Sequence, residues 1–316
     1  MKFLLAQGIG DCLWALFKVQ DIAKKMGDGR VELHVACTRL DLLQTRALEF
    51  VRRFSFVDSA QMKIFPSVLK RGEPPAIAQG RWNYIDDWTE VDGCHALMPN
   101  AHIEEGKRLE TWLPGFEMDW TIADRYSFYQ GELLVADELR KRCNGDYCIF
   151  CLGAISGNIF DGHNRGMLWR PEDWVTLSRR LCPKHVQHIV VVGAPYDLSY
   201  WEHFVKPLLS EEESKRWIST IGDWNISMTF AVVRNARFIV SFQCGIGIFG
   251  SYLRVPTAIF WRPYGDSISC EYRVTFSEDE ASAWVAPYML PDKHLPCIYT
   301  KHSAEQIACE IIARSW

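Results

Sequence analysis

The stretch that decides the fold is Asn235–Pro263, NARFIVSFQCGIGIFGSYLRVPTAIFWRP. Its apolar run over Phe238–Phe242 predicts a buried strand. Gly245 and Gly247 predict a tight turn, Ile248–Arg254 a helix, and Thr257–Trp261 a second strand. A strand–helix–strand unit of this kind builds a parallel sheet. Glycines at the strand-to-helix junction let the backbone approach a ligand. The free N–H groups of the helix's first turn then favour an anion. A diphosphate suits that chemistry; close strand–helix packing is the other use of the same glycines.

A second such unit opens the chain. Lys2–Gln7 reads as a strand, Asp11–Lys25 as an amphipathic helix and Val31–Cys37 as a second strand. The helix places Leu13, Leu16, Phe17 and Ile22 on one side, with Lys18, Lys24 and Lys25 elsewhere. Between strand and helix stands Gly8-Ile9-Gly10-Asp11. Asp11 reads as a helix N-cap or as a general base, and the sequence leaves both open. A dinucleotide fingerprint fails, because Leu13 stands where the third glycine belongs and no acid ends the second strand at Cys37. Thr45–Arg53 follows as a helix and Gln61–Phe65 as a strand. Residues 81–120 have poor periodicity and read as long loops with short helices.

A boundary falls in Arg142–Asp146, giving domains 1–143 and 144–316. Tyr147–Leu152 starts the second sheet. Pro171–Leu181 is a helix with Pro at its first turn, Glu172 and Asp173 at its positive end and Arg179 and Arg180 at its tail. His188–Gly193 is a buried strand, Tyr196–Leu209 a helix, Ile226–Arg234 a helix and Ser303–Arg314 a last helix, a candidate to pack back on the first domain. The alternation in both halves argues for an α/β protein of two parallel-sheet domains facing across a cleft.

Composition narrows the function. Apolar residues make up 48% of 316, enough for two cores, and charged residues 23%, which argues against disorder. A net charge of −4 does not favour general nucleic-acid binding. No apolar run spans a membrane, and the short MKFLLA run reads as a first strand, so the expected location is the cytoplasm. Cys148 and Cys151 form one CxxC in an apolar run with no second pair, which favours buried free thiols over a metal site.

Other stretches carry polar chemistry. Arg165 and Arg170 flank MLW and suit phosphate oxygens, though solvated surface arginines are the default; Trp169 and Trp174 read as packing residues. Asp197 follows a strand end and suits ribose hydroxyls or a helix cap. His95, Asn100, His102, Lys107 and Arg108 suit a sugar or charged acceptor, and equally a polar surface loop.

Together KFLLAQGIGDCLWAL, MLWRPEDWVTLSRRL, VVVGAPYD and the Asn235–Pro263 stretch resemble, in order and spacing, the ADP-heptose:lipopolysaccharide heptosyltransferases of glycosyltransferase family 9. The resemblance implies the GT-B fold, with two Rossmann-like domains and the nucleotide sugar held mainly by the second. It implies an inverting, metal-independent transfer with no cofactor. Asp11 would deprotonate the acceptor hydroxyl. Gly10, Arg165, Asp197, Gln243, Cys244, Gly245, Ile246 and Gly247 would hold the donor, and the first domain the acceptor. Three positions depart from the family pattern: Gln243 stands for an aspartate, Ile248 for a histidine and Met167 for a lysine.

The expected acceptor is a bacterial surface saccharide. A phage-type DNA glycosyltransferase is the alternative, with Arg30, Lys70, Arg71, Lys107 and Arg108 as candidates for a phosphate track. A non-catalytic nucleotide-sugar-binding protein is a further reading. An oxidoreductase is the rival that binds a nicotinamide.

Overall fold

Strand β1 (Lys2–Leu5) is buried on both faces after its first residue, and β2 (Glu32–Cys37) likewise, with His34 its one polar residue after Glu32, as strands sandwiched between helices are. In this computed structural model the described residues are 1–6, 8–37, 42–64, 85–99, 102, 109–153, 169–242, 244–261, 294–298 and 303–315. They divide into two units, Met1–Phe128 and Tyr129–Trp316. The division lies ahead of the expected 143/144 boundary. The reason is helix Gln130–Arg142, which groups with the second unit by packing on helix Ile226–Val233.

In the first unit, α1 (Ile9–Met26) and α2 (Leu42–Val51) accompany a sheet of order β3-β2-β1-β5-β4. Here β3 is Ser59–Ile64, β4 Glu90–Val91 and β5 Cys94–Leu97. All neighbours are parallel except the β4–β5 hairpin. Residues 90–97, expected as loop, therefore supply the strand beside β1, with Leu5 opposite Leu97.

Lys18 corrects the helical reading of α1. It is wholly buried, and its Nζ donates to the carbonyls of Glu110 (2.9 Å), Trp112 and Leu113 (3.3 Å). An ammonium can be buried when carbonyl oxygens replace its water. Burial lowers its pKa, and the Glu110 and Asp21 carboxylates oppose that shift. Trp112 is held from the other side: its indole N–H donates to Asp87 Oδ2 at 2.6 Å, while the Met98 N–H donates to Asp87 Oδ1 at 2.7 Å. Segment 109–113 is thus tied both to α1 and to the end of β5.

In the second unit, α3 (Gln130–Arg142) precedes β6 (Tyr147–Cys151), α4 (Pro171–Leu181) and β7 (His188–Val192). Then come β8 (Trp217–Ser219), α5 (Ile226–Val233), β9 (Ile239–Phe242), α6 (Gly245–Tyr252), β10 (Thr257–Trp261), β11 (His294–Ile298) and α7 (Ala304–Ala313). The sheet is all parallel in the order β11-β10-β9-β6-β7-β8. Renumbered within the unit, this is the doubly wound order of nucleotide-binding sheets. The last helix, α7, packs on α4 of its own unit.

One face of this sheet (Cys148, Phe150, Leu152, Val191, Val240, Phe260) meets α4 and α7 through Trp174, Leu177, Ile307 and Ile311. Trp169 and Trp174 join it edge-on, 5.8 Å apart at 79°, and neither indole N–H finds an acceptor among the described residues. An unpaired N–H costs about 1–3 kcal/mol. Burying each indole contributes about 4–6 kcal/mol, so packing wins. The opposite face carries Tyr147, whose hydroxyl donates to the Val232 carbonyl of α5 at 2.7 Å.

The expected helix Tyr196–Leu209 is helical from Pro195 to Leu208 but irregular, passing through 3-10, α, π and again 3-10 turns. Pro207 has no N–H to continue the ladder.

Lys18→Met should lower unfolding stability by about 2–4 kcal/mol, since it leaves three carbonyls without their donor. Chemical denaturation checks this; a loss under about 0.5 kcal/mol, the ordinary surface range, contradicts the buried role.

Candidate functional site

Strand β6 sends its chain through α4 to β7 on one side, while β9 sends its chain through α6 to β10 on the other. The sheet order therefore reverses between β6 and β9. Ligands of open α/β sheets bind outside the carboxyl ends of the strands at such a point. Three segments gather at this edge: Cys151–Gly153 after β6, Gly193–Asp197 after β7 and Cys244–Gly247 after β9.

Asp197 braces the first two. It is 4% exposed, and its Oδ2 accepts the Ala194 N–H at 2.7 Å. A Cβ on Gly153 would lie 2.0 Å from Asp197 Oδ1, and one on Gly193 would lie 2.7 Å from Oδ2. The two glycines thus leave the room the carboxylate occupies. The contact to the Ala194 N–H is the helix-cap alternative read from sequence.

The third segment differs from the expected turn. Helix α6 begins at Gly245, so Gly245, Ile246 and Gly247 form its first turn and Cys244 is the N-cap. A Cβ on Gly247 would meet Ser241 Oγ at 2.0 Å, so this glycine serves close strand–helix packing. Cys244 lies 3.6 Å, sulfur to sulfur, from Cys151. Its thiol pKa is lowered first by the hydrogen bond from Cys151, with burial opposing. The N–H groups of Gly247 and Ile246 lower it further, and the Asp197 carboxylate raises it. Cys151 is pushed well up, by that same hydrogen bond and by burial. Cys148, three residues back in β6, points to the other face, so the CxxC cannot chelate one ion. No group of three or more His, Cys, Asp or Glu among the described residues is placed to hold a metal.

In the first unit the order reverses between β1 and β5. After β1, Gly8 is the N-cap of α1 with extended backbone, and Gly10 and Asp11 lie inside the first helical turn. Asp11 is thus the third helical residue and not the cap. Its carboxylate folds over Gly8, where a Cβ would meet Oδ2 at 2.3 Å. Asp11 is half-buried. After β5, the chain reaches Met98, whose N–H holds Asp87. Burial raises the Asp87 pKa; the Met98 and Trp112 hydrogen bonds and the His102 charge oppose it. His102 Nε2 is 3.0 Å from Thr111 Oγ1. His95 lies opposite Phe3, before the strand's carboxyl end, against the Trp88 ring.

Asn100, Lys107, Arg108, Arg165, Met167 and Gln243 lie outside the described residues, as do Lys70 and Arg71. Arg170 caps α4: its N–H donates to Asp173 Oδ2 at 2.7 Å, and its guanidinium is exposed. Sequence reading missed Asp87 and the Cys151–Cys244 contact. Asp87 has no local motif, and the thiol contact joins residues 93 apart.

No protein-family model matches the sequence, and no curated protein matches it. Solved structures do. The E. coli ADP-heptose lipopolysaccharide heptosyltransferase II aligns over 100% of this chain and 98% of its own, at TM-score 0.62 and 12% identity. The E. coli heptosyltransferase WaaC with ADP aligns over 100% and 98%, at 0.54 and 15%. A family 9 glycosyltransferase from Veillonella parvula aligns over 99% and 97%, at 0.54 and 11%. The fold is GT-B. In GT-B terms each unit is one Rossmann-like lobe, and the second has the doubly wound strand order. No helix among the described residues is long and apolar enough to cross a membrane.

Gly153→Ala should destabilise the protein by about 1–3 kcal/mol through its collision with Asp197. In an Asp197→Ala background the same change should cost about 1 kcal/mol less, read from a denaturation double-mutant cycle. Strict additivity would show that the carboxylate does not fill the space between the glycines.

Proposed function

We propose that this chain is a glycosyltransferase that takes its sugar from a nucleoside-diphosphate donor. The observation that carries the reading is the β6–β9 switch point, with a glycine-built helix start on a GT-B scaffold. The diphosphate sits at the N-terminus of α6, where backbone N–H groups and the helix dipole offset its charge. Fold likeness to heptosyltransferases supports this, and one of those relatives was solved with ADP.

The reaction is a direct displacement. Asp11 takes the proton of an acceptor hydroxyl. The hydroxyl oxygen bonds to the anomeric carbon as its bond to the diphosphate breaks, inverting that centre. The nucleoside diphosphate leaves with the electron pair. Preorganised N–H groups stabilise its growing charge, so no metal or cofactor is required. Asp11 suits the base role because its carboxylate is half-buried at the carboxyl edge of β1, not locked in the core. The acceptor is a saccharide of a bacterial surface polymer, bound by the first unit near His102 and the 109–113 segment. Gln243 and Ile248, standing for an acid and a histidine, favour a donor other than ADP-heptose.

Asp11→Asn should cut turnover about 10²–10⁴-fold while leaving donor affinity nearly intact. Turnover within threefold of wild type removes Asp11 from the mechanism. A thermal-shift panel of nucleoside-diphosphate sugars should single out one donor that stabilises the fold by mass action. Gly245→Val should weaken that donor about tenfold or more by blocking the phosphate approach. Equal affinity would place the diphosphate elsewhere. Activity should persist in excess chelator; its loss would refute the metal-free displacement.

A further inference from the structure

Two thiols stand at the β6–β9 switch point, and the displacement above uses neither as a nucleophile. Cys151 ends β6, opposite Ser241 of β9. Cys244 follows three residues after Ser241 as the N-cap of α6. The topology therefore brings two distant cysteines to one strand edge, and their sulfurs touch at 3.6 Å. A disulfide bond is about 2.0 Å long, so the sulfurs are roughly 1.6 Å short of bonding. Cys151 is buried, whereas Cys244 is half-buried and reachable.

We propose that Cys151 and Cys244 are a reversible thiol–disulfide pair, oxidised by a small-molecule disulfide, at the anion-binding end of α6. Cys244 attacks first, as thiolate, on one sulfur of the disulfide RSSR. That S–S bond breaks, one RS⁻ leaves and takes a proton, and a mixed disulfide remains on Cys244. Cys151 then loses its proton and attacks the Cys244 sulfur, expelling the second RS⁻, which is protonated in turn. Two protein thiols are oxidised, one RSSR is reduced to two RSH, and the two thiol protons end on them. The order follows from the site. The Gly247 and Ile246 amides and the Cys151 donor favour the anion at Cys244, while burial keeps Cys151 protonated until it is called on.

The test treats the full chain with oxidised glutathione, alkylates the remaining thiols and maps peptides without reduction. The expected product links the Cys151 peptide to the Cys244 peptide and reopens with dithiothreitol. Cys151→Ala should stop at a glutathione adduct on Cys244, with Cys151→Ser as the second variant if the first does not fold. A folded wild-type chain that forms no such link, or a variant that leaves Cys244 unmodified, overturns the proposal.

Discussion

Everything in the second unit follows from a constraint on chain direction. The connection leaving β6 must cross to β7, and the one leaving β9 must cross to β10 on the opposite side. Right-handed crossovers then carry the two connections to opposite faces of the sheet. The packing agrees: α4 lies with α7, and α6 lies with α5. The carboxyl ends of β6 and β9 are left side by side, with the backbone N–H groups of α6's first turn at the edge. Side chains then specialise the edge. Asp197 fills the space between two glycines, Ser241 lies against Gly247, and a thiol pair closes the gap between the two strands.

The first unit applies the same constraint at β1 and β5, with different chemistry. Its edge carries two carboxylates. Asp11 lies over Gly8, and Asp87 is held by Met98 and Trp112. Segment 109–113 owes its position to the buried Lys18 ammonium. The first-unit edge thus carries two carboxylates, whereas the second-unit edge carries a helix start and two thiols.

Much of the fold was legible because parallel strands buried on both faces read as continuous apolar runs. HIVVV and TAIFW are such runs, and the reading placed both strands. Helix α4 was legible to the residue because Pro171 and its charge order mark both ends. Helix α3 carries no such signal: its buried residues are only Glu132, Ala136 and Leu139, and Leu134 is exposed. Lys18 was misread because periodicity assigns charge to solvent, and only tertiary carbonyls can reverse that. At the site, the glycine positions were legible but their uses were not. Gly247 makes room for Ser241 and Gly153 for Asp197, and both contacts are tertiary.

The proposed grip of the α6 first turn on a nucleoside diphosphate is open to amide hydrogen exchange with and without the stabilising nucleotide. Slowed exchange is expected in the peptide carrying Cys244–Ile248, together with its neighbours at Gly153 and Gly193. Tight binding that slows exchange elsewhere and leaves the α6 start unchanged would contradict it.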